Sequence, residues 1–231
     1  MLLCFGHRGA AGYETENSLA SVKKAIALGV DWIEIDIHAV HDELFVFHDF
    51  RLERLTAAKG YLRRKSLRSL ARLRLPNGEP IPTLSEVMNC VNHRVGVNIE
   101  IKNRGCPRLL AILLDRLVRE QYWPEERILV SSFVHRELGE LKHIRPQTRI
   151  GLLTPRDPLP FLSRALSLKA FSIYPNIAWL SPALVSRFHD NRLRVYTWTV
   201  NEPQPIRRSM EMGVDGIISD FPDRVLTARS V

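Results

Sequence analysis

The chain has 231 residues, 45% hydrophobic and 25% charged, which suits one large folded domain and excludes a mainly disordered chain. Three cysteines, Cys4, Cys90 and Cys106, with no C-x-x-C spacing, exclude a disulfide framework and a zinc-thiolate site. The formal charge of +8 raises nucleic acid as a partner, yet nine basic residues and one acid between positions 51 and 74 carry all of it. Only Phe50 and Tyr61 accompany them as stacking platforms, so no nucleic-acid partner is expected and the segment reads as a basic flap that concentrates anionic substrates. No apolar run approaches the roughly 18 residues of a membrane span, and the stretch Met1-Leu2-Leu3-Cys4-Phe5 is too short for a secretory core. The expectation is a soluble, cytoplasmic protein without stable membrane insertion; the sequence leaves a homo-oligomer open.

Strand-like runs fall at 2–6, 32–39, 95–102, 127–131, 149–153, 170–174, 194–200 and 216–219, with amphipathic stretches between them. A further run at 44–48 follows the second closely enough to pair with it as a hairpin. The first helix carries Leu19, Val22 and Ile26 at helical spacing and stops at Gly29. Residues 50–82 break the rhythm and read as a small basic insertion, with a short helix near 66–73. Thr83-Leu84-Ser85-Glu86 is a capping box, and Ser181-Pro182 places an N-cap before a first-turn proline. Gly29-Val30-Asp31-Trp32-Ile33 and Gly213-Val214-Asp215-Gly216-Ile217 repeat one helix-to-strand junction. Eight β-then-α units of about 29 residues each predict an α/β fold, a single TIM-type (β/α)8 barrel over 1–231 with its insertion after strand 2. A doubly wound sheet is the alternative, but no G-x-G-x-x-G follows the first strand.

Two runs carry the chemistry. Ile33-Glu34-Ile35-Asp36-Ile37 returns as Val97-Asn98-Ile99-Glu100-Ile101-Lys102, each with a β-branched face and an ionisable face. Under a cover of helices the ionisable faces must point into a buried place, where carboxylates need a cation. Glu34 and Asp36 share a face about 7 Å apart by strand rise. With Glu100 they form an all-oxygen set that favours Mg²⁺, Ca²⁺ or Mn²⁺ over zinc. The C-terminal strand ends, where barrels place their active sites, add His7-Arg8-Gly9, His48-Asp49, Lys102, and Tyr196 or Trp198. Arg8 and Lys102 suit a phosphate, and His7 and His48 suit general acid and base work. A metal, two cations and two histidines point to phosphoryl transfer from an ester.

His7-Arg8-Gly9, Glu16-Asn17-Ser18, Glu34-Ile35-Asp36 and Phe47-His48-Asp49 resemble the glycerophosphodiester phosphodiesterase signature. Pro82-Thr83-Leu84, Ile99-Glu100-Ile101-Lys102, Thr197-Trp198-Thr199-Val200-Asn201 and the segment from Gly213 to Asp220 continue it in order. Two flanking positions depart from that pattern: Thr15 stands where proline is usual, and Ser219 where threonine is. The resemblance implies a TIM-type barrel with His7 and His48 as the acid/base pair and Glu34, Asp36 and Glu100 as ligands of a divalent cation, Mg²⁺ or Ca²⁺ with Mn²⁺ as a third choice. It further implies that Arg8 and Lys102 hold the phosphate, that Trp198 walls the glycerol or leaving group, and that Glu16 orients Arg8 or favours the first helical turn. The small-molecule substrate would be a glycerophosphodiester, cleaved to glycerol 3-phosphate and an alcohol such as choline or ethanolamine. Rival readings are a lysophospholipase D or phosphatidylinositol phospholipase C-like enzyme, an aldolase-type barrel with Lys102 as nucleophile, and a non-catalytic barrel that binds phosphate or nucleic acid.

Overall fold

Ile33, Ile35 and Ile37 are fully buried beside Val97, Ile99 and Ile101, and that contact organises the molecule. The computed structural model describes residues 1–230. Nine strands form one sheet: β1 (Leu3–His7), β2 (Trp32–Val40), β3 (Glu43–Val46), β4 (Gly96–Ile101), β5 (Ile128–Ser132), β6 (Arg149–Thr154), β7 (Ser172–Pro175), β8 (Arg194–Thr197) and β9 (Gly216–Ser219). Eight of them are parallel, and β1 pairs with both β2 and β9, so the sheet closes on itself. The fold is the (β/α)8 barrel expected from the alternation. β3 is the antiparallel exception, the second arm of the expected hairpin on β2.

Around the barrel run α1 (Leu19–Leu28), α2 (Leu67–Leu70), α3 (Leu84–Val91), α4 (Cys106–Glu120), α5 (His135–Ile144), α6 (Leu162–Ser167), α7 (Pro182–Asp190), α8 (Pro203–Glu211) and α9 (Pro222–Arg229). Their starts follow local chemistry. Ser18, Thr83 and Ser181 accept hydrogen bonds from the backbone of Ser21, Glu86 and Leu184, and Thr83 and Glu86 complete the reciprocal capping box. The outer faces of the strands meet these helices in the main core. The inner faces plug the barrel with Phe5, Leu129, Leu153, Tyr174, Tyr196 and Ile218, with Trp32 against them. Gly96 is required there, because a Cβ would lie 2.3 Å from the Trp32 ring.

Register places the polar side chains. His7 lies opposite Glu34 and Glu34 opposite Asn98; one pleat nearer the C-terminal rim, Asp36 lies opposite Glu100 and Glu100 opposite Ser131. The apolar plug fills the barrel below them. Residues 47–83 depart from the β/α rhythm and build a satellite core in which Phe47, Leu52, Leu62, Leu70, Leu75 and Ile81 pack with Val40 of β2 and Phe45 of β3. The expected helix within this segment is shorter than read, because only 67–70 close helical bonds. β8 likewise stops at Thr197: Trp198 turns its indole N–H to the Tyr174 carbonyl at 2.8 Å, and Val200 N–H donates to Ile218 at 3.0 Å.

Candidate active site

The C-terminal rim surrounds an open cavity whose walls include His7, Arg8, Glu34, His48, Glu100, Lys102 and Trp198. The sequence-predicted residues converge, and each is held in a particular way. Directly after β1, Arg8 takes a left-handed backbone, φ 49°, and Gly9 follows at 88°. A Cβ on Gly9 would lie 2.3 Å from Ser21 Oγ, so the His-Arg-Gly turn admits no other third residue. The turn aims the Arg8 backbone N–H at Glu34 Oε2, 3.1 Å away. The Arg8 side chain donates to Glu16 Oε1 at 2.8 Å and places Nε 3.3 Å from Asp36 Oδ2.

Glu34, Asp36 and Glu100 each offer an oxygen within 4.8 Å of the others, all three buried. They are not equally matched. Lys102 Nζ stands 2.7 Å from Glu100 and 3.2 Å from Asp36, and Asn17 donates to Asp36 at 2.9 Å. Glu34 Oε1 is buried with no hydrogen-bond partner. Burial, with Asp36 and Glu100 close by, pushes the Glu34 carboxyl well above the usual range. Burial and Asp36 likewise raise Glu100, against Lys102, to about 7. Burial opposes ionisation of Asp36 as well, but Lys102 and Arg8 outweigh it and hold that group below its ordinary value. An orphaned oxygen beside crowded carboxylates is what a hard cation would satisfy, so this donor set fits one.

Both histidines are clamped through Nδ1. His7 Nδ1 lies 2.6 Å from Asp220 Oδ1, and His48 Nδ1 lies 2.6 Å from Asp49 Oδ1. Burial works against ionisation of Asp220, but hydrogen bonds from His7 and Asn201 outweigh it and lower its carboxyl. A hydrogen bond from Arg54 is the main reason the Asp49 carboxyl falls to about 2. A carboxylate only accepts, so each clamp draws the Nδ1–H of its histidine and leaves Nε2 unengaged by it. His7 Nε2 stands 3.9 Å from Glu34. Burial lowers the His48 pKa, with Lys102 and Arg8 adding to it against Asp36 and Asp49, which favours the neutral ring.

Residues 7–224 match the glycerophosphoryl diester phosphodiesterase family. The chain belongs to that family. A glycerophosphodiester phosphodiesterase of Caldanaerobacter subterraneus is 33% identical over 97% of this chain and 96% of its own length. A phosphodiesterase of Oleispira antarctica, solved in complex with the product sn-glycerol-3-phosphate, superposes with a TM-score of 0.90 at 26% identity, covering 98% of this chain and 96% of that one. A lysophospholipase D of Homo sapiens is 26% identical over 95% of this chain and 83% of its own. Family membership bears out the resemblance, the barrel and the reading of the chain as a phosphoric diester hydrolase.

Some residues of the ionisable strand faces stay outside the cavity. His38 is buried, donates from Nε2 to the His48 carbonyl oxygen at 3.2 Å, and packs edge-on to Phe50; burial brings its pKa down to about 4. Tyr196 belongs to the barrel plug, so Trp198 is the aromatic that reaches the cavity, where Phe133 meets it edge-on at 5.4 Å. Sequence reasoning missed the roles of Asn17, Asp49 and Asp220. The last could have been found: it closes the second Gly-Val-Asp junction strand, which pairs with β1 beside His7. Replacement of Asp220 by Asn is expected to free the His7 tautomer and lower turnover by roughly 10²–10⁴-fold with the melting temperature little changed, read by parallel kinetics and thermal unfolding.

Among the described residues no helix is long and apolar enough to cross a membrane. The basic flap is only partly free. Arg51 pairs with Glu53, and Arg54 with Asp49 and Glu16, whereas Arg63, Arg64, Arg68, Arg72 and Arg74 are exposed.

Proposed function

We propose that this chain hydrolyses glycerophosphodiesters to glycerol 3-phosphate and an alcohol at the cavity between His7 and His48. The observation that carries the reading is the pairing of two Nδ1-clamped histidines with a carboxylate trio whose Glu34 oxygen lacks a partner. The Oleispira relative was solved with sn-glycerol-3-phosphate, which supports a glycerol phosphate group in an equivalent cavity. Charge supports it too. Three carboxylates against Arg8 and Lys102 leave one negative charge; a divalent cation reverses it, and a phosphodiester anion then brings the site to neutrality.

Glu34, Asp36 and Glu100 would hold that cation, Mg²⁺ or Ca²⁺. Bound there, it would supply Lewis-acid polarisation of a phosphoryl oxygen. Arg8 presents its guanidinium to the phosphate, and Lys102 adds a compact positive charge as negative charge develops. One histidine takes the proton of the nucleophile through Nε2. That nucleophile is the glycerol hydroxyl next to the phosphate, attacking internally, or water. As its oxygen bonds to phosphorus and the ester P–O bond breaks, the other histidine, protonated at Nε2 beforehand, gives that proton to the departing alcohol oxygen. Attack by water yields glycerol 3-phosphate directly, whereas internal attack yields a cyclic phosphodiester that water then opens with the two histidines exchanging roles. Trp198 and Phe133 form an apolar wall for the glycerol or leaving group.

A second reading, lysophospholipase D activity, is favoured by the rim. Phe50, Tyr61, Phe133 and Trp179, all on segments after the C-terminal ends of strands, are between 37% and 52% exposed, with the exposed arginines of residues 63–74 nearby in sequence. One assay separates the two readings. Enzyme-coupled detection of glycerol 3-phosphate from deacylated phospholipids is run beside choline release from lysophosphatidylcholine vesicles, each with and without EDTA. Soluble diesters as the faster substrates support the main reading. Vesicle substrates cleaved faster support the second, and no cleavage of any phosphodiester under any metal overturns both.

A further inference from the structure

Arg54 has no place in the scheme above, yet it is bonded to both sides of it. Its Nε and Nη2 donate to Asp49 at 2.6 and 3.0 Å, and its Nη1 and Nη2 donate to Glu16, each at 2.7 Å. The same Asp49 oxygen that receives Nη2 also meets His48 Nδ1, and the same Glu16 oxygen that receives Nη2 also accepts from Arg8. A continuous string therefore runs His48, Asp49, Arg54, Glu16, Arg8, from the end of the β2–β3 hairpin across the mouth to the turn after β1. Arg54 is held for this task. Fully buried Leu52 anchors its turn in the satellite core, and Thr56 closes the turn by donating from backbone and hydroxyl to the Leu52 carbonyl.

Stability alone gives little reason for such an arrangement. The Arg54 side chain is 46% exposed, and ion pairs in that setting contribute only modestly to folding. Geometry is another matter, because a planar fork that chelates two carboxylates fixes their positions relative to each other. Asp49 as a carboxylate can only accept, so holding its Oδ1 against His48 Nδ1 draws the ring proton to Nδ1. Glu16, kept in place, steers the Arg8 guanidinium.

We infer that Arg54 is a positioning residue which buckles the His48 and Arg8 sides of the mouth together, setting the His48 tautomer through Asp49 and the Arg8 orientation through Glu16. The kinetic part of the inference rests on the phosphodiesterase reading; the tautomer part does not. The lever is geometric, so lysine, a point charge without the fork, restores little of it.

The test combines two readouts on wild type, Arg54→Ala and Arg54→Lys. In protein with ¹⁵N-labelled histidine and no substrate, long-range ¹H–¹⁵N spectra report the His48 tautomer. Wild type is expected to show the Nδ1–H form, and Arg54→Ala a mixture. In steady-state kinetics kcat is expected to fall 10–100-fold in both variants, the range found when outer partners of site residues are removed. The double variants Arg54→Ala/Asp49→Asn and Arg54→Ala/Glu16→Gln are expected to lose less than the sum of the two single losses, because the two changes of each pair share the bond to Arg54. Unchanged His48 spectra overturn the inference even if the enzyme cleaves no phosphodiester at all. So do kcat values within twofold of wild type, or fully additive double variants. Should Arg54→Ala fail to fold, Arg54→Lys and Asp49→Asn carry the same spectra and kinetics, and a wild-type tautomer in both overturns it.

Discussion

Replacing His48 by Ala is expected to lower kcat by roughly 10²–10⁴-fold, the contribution of a positioned acid or base, while the protein unfolds at nearly the wild-type temperature. The ring is only part-buried at the cavity wall and its one side-chain bond goes to Asp49, so its loss empties little of either core. Glutamine at the same position should not rescue, because an amide neither accepts nor releases the proton. Coupled detection of glycerol 3-phosphate, run beside circular dichroism melts, checks both halves. Turnover within a fewfold of wild type would remove His48 from the mechanism and with it the paired-histidine reading.

The second large effect concerns the carboxylate trio. EDTA is expected to abolish activity and Mg²⁺ or Ca²⁺ to restore it. A cation at about one hundred times its dissociation constant should add about 2.7 kcal/mol of stability, roughly 5–10 °C in melting temperature for a chain of this size. Glu34→Gln should remove that shift. The same change should itself stabilise the metal-free protein, since it removes the charge of a buried carboxyl that has two acidic neighbours. Opposite signs with and without cation distinguish a binding site from an ordinary structural carboxylate. The pH dependence follows from Glu100, whose folded value is raised from 4.5 to about 7. Its neutral form stabilises the fold fully below pH 4.5, and that contribution is lost as pH climbs through 7. Metal-free wild type should therefore lose stability relative to Glu100→Gln between pH 5 and pH 8, a comparison in which the opposite slope from the buried His38 cancels. Added cation should flatten or reverse the trend, because it binds the ionised form.

Much of this was readable in the residues, for physical reasons. The isoleucines at 33, 35 and 37 alternate with Glu34 and Asp36 at the period of a strand, and covering helices leave the acids only the barrel interior. Helix starts at Ser18, Thr83 and Ser181 were legible because capping is a local interaction. Strand ends slipped by one to three residues, since pairing stops where a side chain such as Trp198 finds another partner. The clamps were harder. His48 and Asp49 are adjacent in sequence, and adjacency says nothing about whether they bond. Arg54 and Glu16 lie 38 positions apart with no periodicity to connect them, and a segment so rich in arginine hid the one that spans two carboxylates.

β1 closes the barrel against β9, and the last strand delivers the aspartate that steadies the first strand's histidine. During translation the amino-terminal staves therefore emerge long before the strand that closes the ring against them. A ribosome paused before codon 216 would display every prospective cation ligand and both imidazoles, yet no finished ring and nothing to seat His7. Competence arrives late and all at once, with the stretch that ends in Asp220.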